Sequence, residues 1–322
     1  RKQNLLYTFI KETATRKVFM KTLYKKFLFF CVLALSTFTG AETPQAIILP
    51  TIHDTTTQFI AFWETAKDLA LDDQIALFEA EVVPTFPLFY KDAFENWQER
   101  GISKTDGFKK VFESYPAMHE QLKEQSAHIA AQLEENIKTL LKTFPEFKPD
   151  FQVNVLHSLN QLAGGARDFG TENLYFLLGA DRLATQPKNT NHAPFFHHEI
   201  FHIYHCLQKH DLQHAQKKTL LWGFFWIEGL ATYISEALNP GATLGDIMLG
   251  TPALECAPCM LDLWNSLSKD LESSDRETYK SYFLMTSTHP TIPKRAGYYL
   301  GYLIAKELAK TYSLQELANM PF

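Results

Sequence analysis

Residues 194–209 read PFFHHEIFHIYHCLQK, and this stretch decides what the second half of the chain builds. The loop signals Asn189–Asn191 and Pro194 precede it, and its apolar spacing predicts a helix from about Pro194 to Lys209. Within it, His198-Glu199-Ile200-Phe201-His202 is the pattern H-E-x-x-H. Residues four apart on a helix share a face, so His198 and His202 point the same way. Two imidazoles one turn apart can bind one zinc ion through nitrogens at about 2.0–2.1 Å. Glu199 projects beside such an ion, where it can take a proton from water held there.

A catalytic zinc needs a third protein ligand and an open position for water. The longer pattern H-E-x-x-H-x-x-G-x-x-H fails twice, because His205 stands at its Gly position and Gln208 at its last His position. His205 shares the face of His202, but three ligands along one straight helix give poor tetrahedral angles. Glu228 is the remaining choice. It lies in Trp226-Ile227-Glu228-Gly229-Leu230-Ala231-Thr232-Tyr233, within the otherwise apolar run 220–230. A lone carboxylate there is costly unless paired or bound to metal. The expected ligands are therefore His198, His202 and Glu228 on one Zn2+ ion, with Glu199 as the base.

Outward from this stretch, the periods change in both directions. Phe151, Val153 and Val155 alternate with Gln152 and Asn154, which predicts a strand. Gly164-Gly165 predicts a turn, and Asn173–Leu178 a second strand, either an edge able to pair with extended substrate or simply a core strand. After the motif helix, helices are expected at 220–238, 253–269, 275–285 and 293–312. Upstream, 42–55 reads as a linker or edge strand. Helical spacing then runs from Thr56 to about Val82 and from Met118 to Phe144, where Pro145 and Pro149 end it. The order helices, short strands, helices predicts a predominantly helical α+β chain, with a small sheet preceding the motif helix.

The first 41 residues differ in kind. They carry eight Lys/Arg against the single acid Glu12, so about −12 of charge falls on the remainder of a chain whose net charge is −5. Lys21, Lys25 and Lys26 precede the apolar run Phe27–Leu35, followed by small residues through Ala41. That is a signal-peptide layout, with the start at Met20 and cleavage after Ala41. The expected organisation is 1–41 upstream residues and signal peptide, 42–149 a helical N-terminal region, and 150–322 the metal-binding region. The product is expected to be periplasmic or secreted. An acidic body is a poor partner for nucleic acid, and no apolar run of 18 residues suggests a stable membrane span. In an oxidising compartment, Cys256-Ala257-Pro258-Cys259 is expected to close a local disulfide.

Three motifs in order carry a family resemblance: His198-Glu199-x-x-His202, then Glu228-Gly229-x-Ala231-x-Tyr233, then Gly297-Tyr298-x-x-Gly301. Together they resemble the gluzincin zinc metallopeptidases, more narrowly the bacterial predicted Zn-dependent protease families. The resemblance covers about the last 150 residues. It implies a zincin-like fold for 150–322, a zinc held by two His and one Glu, Glu199 as base, and Tyr298 near the scissile carbonyl. His289, Arg295, Tyr299 and Tyr302 are the other candidates for that last role. The expected activity is a hydrolase, a metalloprotease acting on peptide or protein substrates. Two other readings compete. A di-iron bundle would need a second E-x-x-H, which the chain lacks. A non-catalytic envelope metalloprotein with a structural zinc would show a fourth ligand, His205 or His197.

Overall fold

The computed structural model describes residues 48–208, 219–248, 260–287, 289 and 292–320. The signal-peptide stretch and the Cys256/Cys259 pair lie outside the described residues. From Ile47 onward the chain is one compact unit, and it is an α+β fold dominated by helix.

The sheet has four strands in the order β1 (Ile52–Asp54), β2 (Gln152–Leu156), β4 (Tyr175–Gly179) and β3 (Gly164–Arg167). The residues 42–55 thus contribute an edge strand. β1 pairs with β2 in parallel through Ile52–Val153, and β2 with β4 in parallel through Val153–Phe176. β3 runs antiparallel to β4, with Ala166 opposite Phe176. Strands covered on both faces read as continuous apolar runs, and every residue of β4 is buried. Of the two readings of Asn173–Leu178, the core strand is the one found; the turn expected at 164–165 is corrected. Gly164-Gly165 is not a turn but the start of β3, which forms the edge instead.

Between β1 and β2 lie six helices: α1 (Thr56–Ala66), α2 (Leu71–Glu81), α3 (Pro87–Glu99), α4 (Lys104–Ser114), α5 (His119–Ser126) and α6 (Ile129–Thr143). The expected helix over 56–82 breaks after Ala66. The Gln74 side chain donates to the Ala66 carbonyl, closing one helix end, and Asp72 and Asp73 stand in the first turn of the next. Negative charge at a helix N-terminus is stabilising. The expected helix over 118–144 breaks at Ala127-His128, where Ser126 Oγ donates back to the Lys123 carbonyl and His128 leaves helical geometry at φ −128°. Aromatic rings fill this region. Phe59, Phe62, Phe78, Tyr90, Phe108 and Tyr115 are all fully buried, and most of their ring contacts are tilted or edge-on.

After β4 come the short α7 (Ala180–Leu183), then α8 (Ala193–Gln208), α9 (Leu221–Leu238), the short α10 (Leu244–Ile247), α11 (Met260–Asp270), α12 (Arg276–Phe283), α13 (Ala296–Leu308) and α14 (Leu314–Asn319). α9 is the joint between two apolar cores. Leu230, Ala231 and Ile234 belong to the core that also holds the sheet and α8, whereas Leu221 and Phe225 belong to a second core with Phe283 and Leu300. The closest helix pair is α9 with α13. A Cβ built on Gly229 runs into the backbone of Gly301, and one on Gly301 runs into the Phe225 carbonyl oxygen. Gly297, one turn earlier, faces a different neighbour, with a Cβ there 2.7 Å from the Phe283 ring. Gly301→Ala should therefore force α9 and α13 apart and cost about 1–3 kcal/mol. Gly245→Ala, whose new Cβ meets only Thr243 Oγ1 at 3.5 Å, should stay within about 0.5 kcal/mol. Thermal unfolding followed by circular dichroism measures both.

Candidate metal centre

α8 buries Ile200, Phe201, Ile203 and Tyr204 completely, which turns His198 and His202 toward α9. The first of these histidines is buried and the second half-buried. α9 packs along α8, and its one carboxylate inside the described apolar face, Glu228, arrives opposite the two imidazoles. Glu228 Oε2 lies 3.3 Å from His198 Nε2 and 3.3 Å from His202 Nε2. The two Nε2 atoms are 3.0 Å apart, with the rings near-perpendicular. The three side chains are 4%, 16% and 15% exposed.

The electrostatics follow from this crowding. Burial works to raise the Glu228 carboxyl, but the two imidazoles outweigh it and hold the group well below the ordinary carboxylate range. For His202, burial works to lower its value, and the Glu228 charge, with Glu199 adding, outweighs that and raises it. Yet Glu228 Oε2 is buried without a well-formed hydrogen bond. The carboxylate is thus held by the charge of two imidazoles rather than by well-directed hydrogen bonds, and the two Nε2 atoms crowd each other at 3.0 Å.

A cation between the three atoms resolves this. Donors around one small divalent ion, bonded at about 2.0–2.1 Å in tetrahedral geometry, lie about 3.3 Å from each other. The observed separations of 3.0 and 3.3 Å match that spacing. His198, His202 and Glu228 form the metal-competent group among the described residues. The fit is incomplete in one respect. His198 Nδ1 is buried without a partner, whereas a ligating histidine ordinarily donates from its other nitrogen.

Glu199 follows His198 on α8 and is half-buried. It borders the sheet edge. A Cβ built at Gly164 of β3 would lie 3.1 Å from Glu199 Cγ and 2.8 Å from the Phe195 ring. Glycine at 164 therefore makes room for the Glu199 side chain. The sequence reading missed this residue, although a glycine inside a strand is a signal for close approach.

α13 supplies the far side. The Tyr298 ring centre lies 6.0 Å from that of His198, tilted by 32°. Burial, with the Glu228 charge, pushes the Tyr298 hydroxyl well above its ordinary value, so it stays protonated and able to donate. Of the other tyrosines, Tyr302 donates to Glu236 at 2.8 Å and accepts from Lys306 at 2.6 Å, and Tyr299 stacks on Tyr302. His289 Nδ1 accepts from the Ile292 backbone. Arg295 caps α13 at φ 61°, and its Cζ lies 4.2 Å from the Tyr298 ring centre.

The remaining histidines turn elsewhere. His205 Nε2 contacts the Ala318 carbonyl at 3.1 Å, and His197 Nδ1 contacts Asn239 at 2.8 Å. Neither joins the cluster among the described residues. Cys206 is a free thiol whose pKa burial pushes up to about 11.

No family model, no curated protein and no solved structure matches the chain. The site therefore stands on its own geometry.

Metal affinity should depend on pH in a definite direction. A raised His202 value means its proton is retained at pH where a free imidazole has lost it, so a cation must displace that proton. Affinity should rise with pH through and above about 6.5 and fall below it, by roughly tenfold per pH unit for each proton displaced. Competition against a chelating indicator between pH 6 and 8 reads this out. His198→Ala and Glu228→Ala should each lose the bound equivalent, and His205→Ala should keep it.

Proposed function

We propose that the chain is an exported zinc metallopeptidase of the gluzincin type, with a zincin-like arrangement in residues 150–322. The observation that carries the reading is the convergence of two imidazoles and one buried carboxylate from two helices, with Glu199 on the same helix as the imidazoles. Zinc suits a donor set of two nitrogens and one oxygen. Three protein ligands among the described residues favour a site with an open position over a closed structural one.

Bound there, zinc supplies a Lewis acid that polarises a substrate carbonyl and makes water acidic. His198, His202 and Glu228 hold the ion and balance its charge. Glu199 accepts a proton from the attacking water and returns it to the leaving amine nitrogen as the C–N bond breaks. Tyr298, kept protonated by its surroundings, directs its hydroxyl at the oxygen that gains negative charge. Among the described residues, β3 offers the unpaired side of a sheet edge beside Glu199, where an extended peptide can add as a further strand.

Purified protein should carry about one equivalent of zinc and cleave members of a broad peptide library. Glu199→Gln should retain the metal and lose at least about 10²-fold in turnover. Tyr298→Phe, which removes only the hydroxyl, should lose about 10²–10³-fold with unchanged zinc content. A zinc-loaded Glu199→Gln protein with parental turnover would exclude the mechanism, and a zinc-loaded parent inert on every peptide would exclude the activity.

A further inference from the structure

Arg295 sits in the left-handed backbone region, at φ 61° and ψ 21°. A long side chain there costs of order 1–3 kcal/mol, and such residues cluster at active sites and ligand clamps. Hydrogen bonds on either side fix the position, with Ala296 N–H donating to the Pro293 carbonyl and Tyr298 N–H to that of Arg295. The strained residue carries its guanidinium onto the face of the Tyr298 ring, with Cζ 4.2 Å from the centre. That ring in turn lies 6.0 Å from the His198 ring.

Stacking uses the face of a guanidinium and leaves its five in-plane N–H donors unused. No carboxylate of the described residues forms a salt bridge with Arg295. The nearby Glu228 charge is committed to the two imidazoles. The first turn of α13 holds no acidic residue, so among the described residues this cation sits at the positive end of a helix without a compensating anion. A fixed fork of donors beside a metal centre, short of one anion, fits a carboxylate supplied from outside.

We propose that Arg295 forms a carboxylate subsite of the metal centre, binding a substrate carboxylate close to the scissile bond. This rests on the peptidase reading above. Arg295 Cζ is at most about 10 Å from the His198 ring, a span of one to three extended residues. The subsite therefore reads a carboxylate close to the cleaved bond. A free C-terminal carboxylate and an acidic side chain share this chemistry. The first would make the protein an exopeptidase acting at C-termini.

The test measures binding to the metal-free full chain by calorimetry, with three probes: N-acetyl-Ala-Phe as the free acid, the same dipeptide as its amide, and N-acetyl-Ala-Asp amide. A carboxylate probe should bind at least about tenfold tighter than the uncharged amide. The preference should vanish in Arg295→Asn, where Asn tolerates the left-handed backbone, and return only in part in Arg295→Lys, which keeps charge without the fork. Both variants should unfold thermally like the parent. Tighter binding of the free acid alone assigns the C-terminal carboxylate, and equal binding of the Asp amide assigns an acidic side chain. Equal binding of all three probes to the parent, or an unchanged preference in Arg295→Asn, would overturn the subsite. The two readings fail separately. A carboxylate preference with no cleavage of any peptide by the zinc-loaded protein removes the peptidase and keeps the subsite. Cleavage of acid and amide alike, without a binding preference, does the reverse.

Discussion

A carboxylate that faces two imidazoles across 3.3 Å, with no well-formed hydrogen bond of its own, is the constraint around which this half of the molecule is organised. Glu228 cannot be there for stability alone. Replacing buried charges by apolar side chains is often neutral or stabilising, and the residues around it on α9 are apolar already. Its place in the fold makes physical sense when a cation shares the space. The carboxylate charge is then the one that would balance the ion.

The convergence needs two helices. Ligands along α8 alone would lie one above the other, about 5.4 Å per turn, and could not surround a point. α9 must therefore cross at the level of His198 and His202, and it is held there from behind. Gly229, the residue after Glu228, meets Gly301 of α13 backbone to backbone. The contact that seats Glu228 from one side thus also sets how close α13 comes, and with it the distance from Tyr298 to His198. Packing and site geometry are not separable at this point, because one pair of glycines positions Glu228 of the metal-competent group and the tyrosine opposite it.

Much of this was legible in the sequence, for reasons that differ by residue. His198 and His202 could be placed because helical spacing alone puts them on one face. Glu228 could be found because a single acid in an apolar run demands a partner. Tyr298 over its neighbours came from a resemblance; its ring is the one that lies beside His198, while Tyr302 is tied to Glu236 and Lys306. What could not be read was pairing at a distance. Gly164-Gly165 has the composition of a turn, and only the antiparallel register with Leu178 and Leu177 makes it a strand. The helix breaks at 67–70 and 127–128 rest on a side chain reaching a carbonyl, Gln74 to Ala66 and Ser126 to Lys123. Apolar periodicity is nearly blind to such bonds.

The placement of β3 changes how the site is approached. Had the strand at 175–179 been the edge, the chain nearest Glu199 would have been a row of buried apolar side chains. Instead the edge is Gly-Gly-Ala-Arg, half-buried and then exposed, whose first glycine abuts Glu199. Small residues bring backbone rather than side chain to Glu199, and backbone N–H and C=O groups can recognise an extended chain without regard to its sequence. On the proposed peptidase reading, selectivity would then come from Tyr298 and Arg295. A backbone edge beside Glu199 together with the Arg295 guanidinium would discriminate by charge and chain end before side-chain shape.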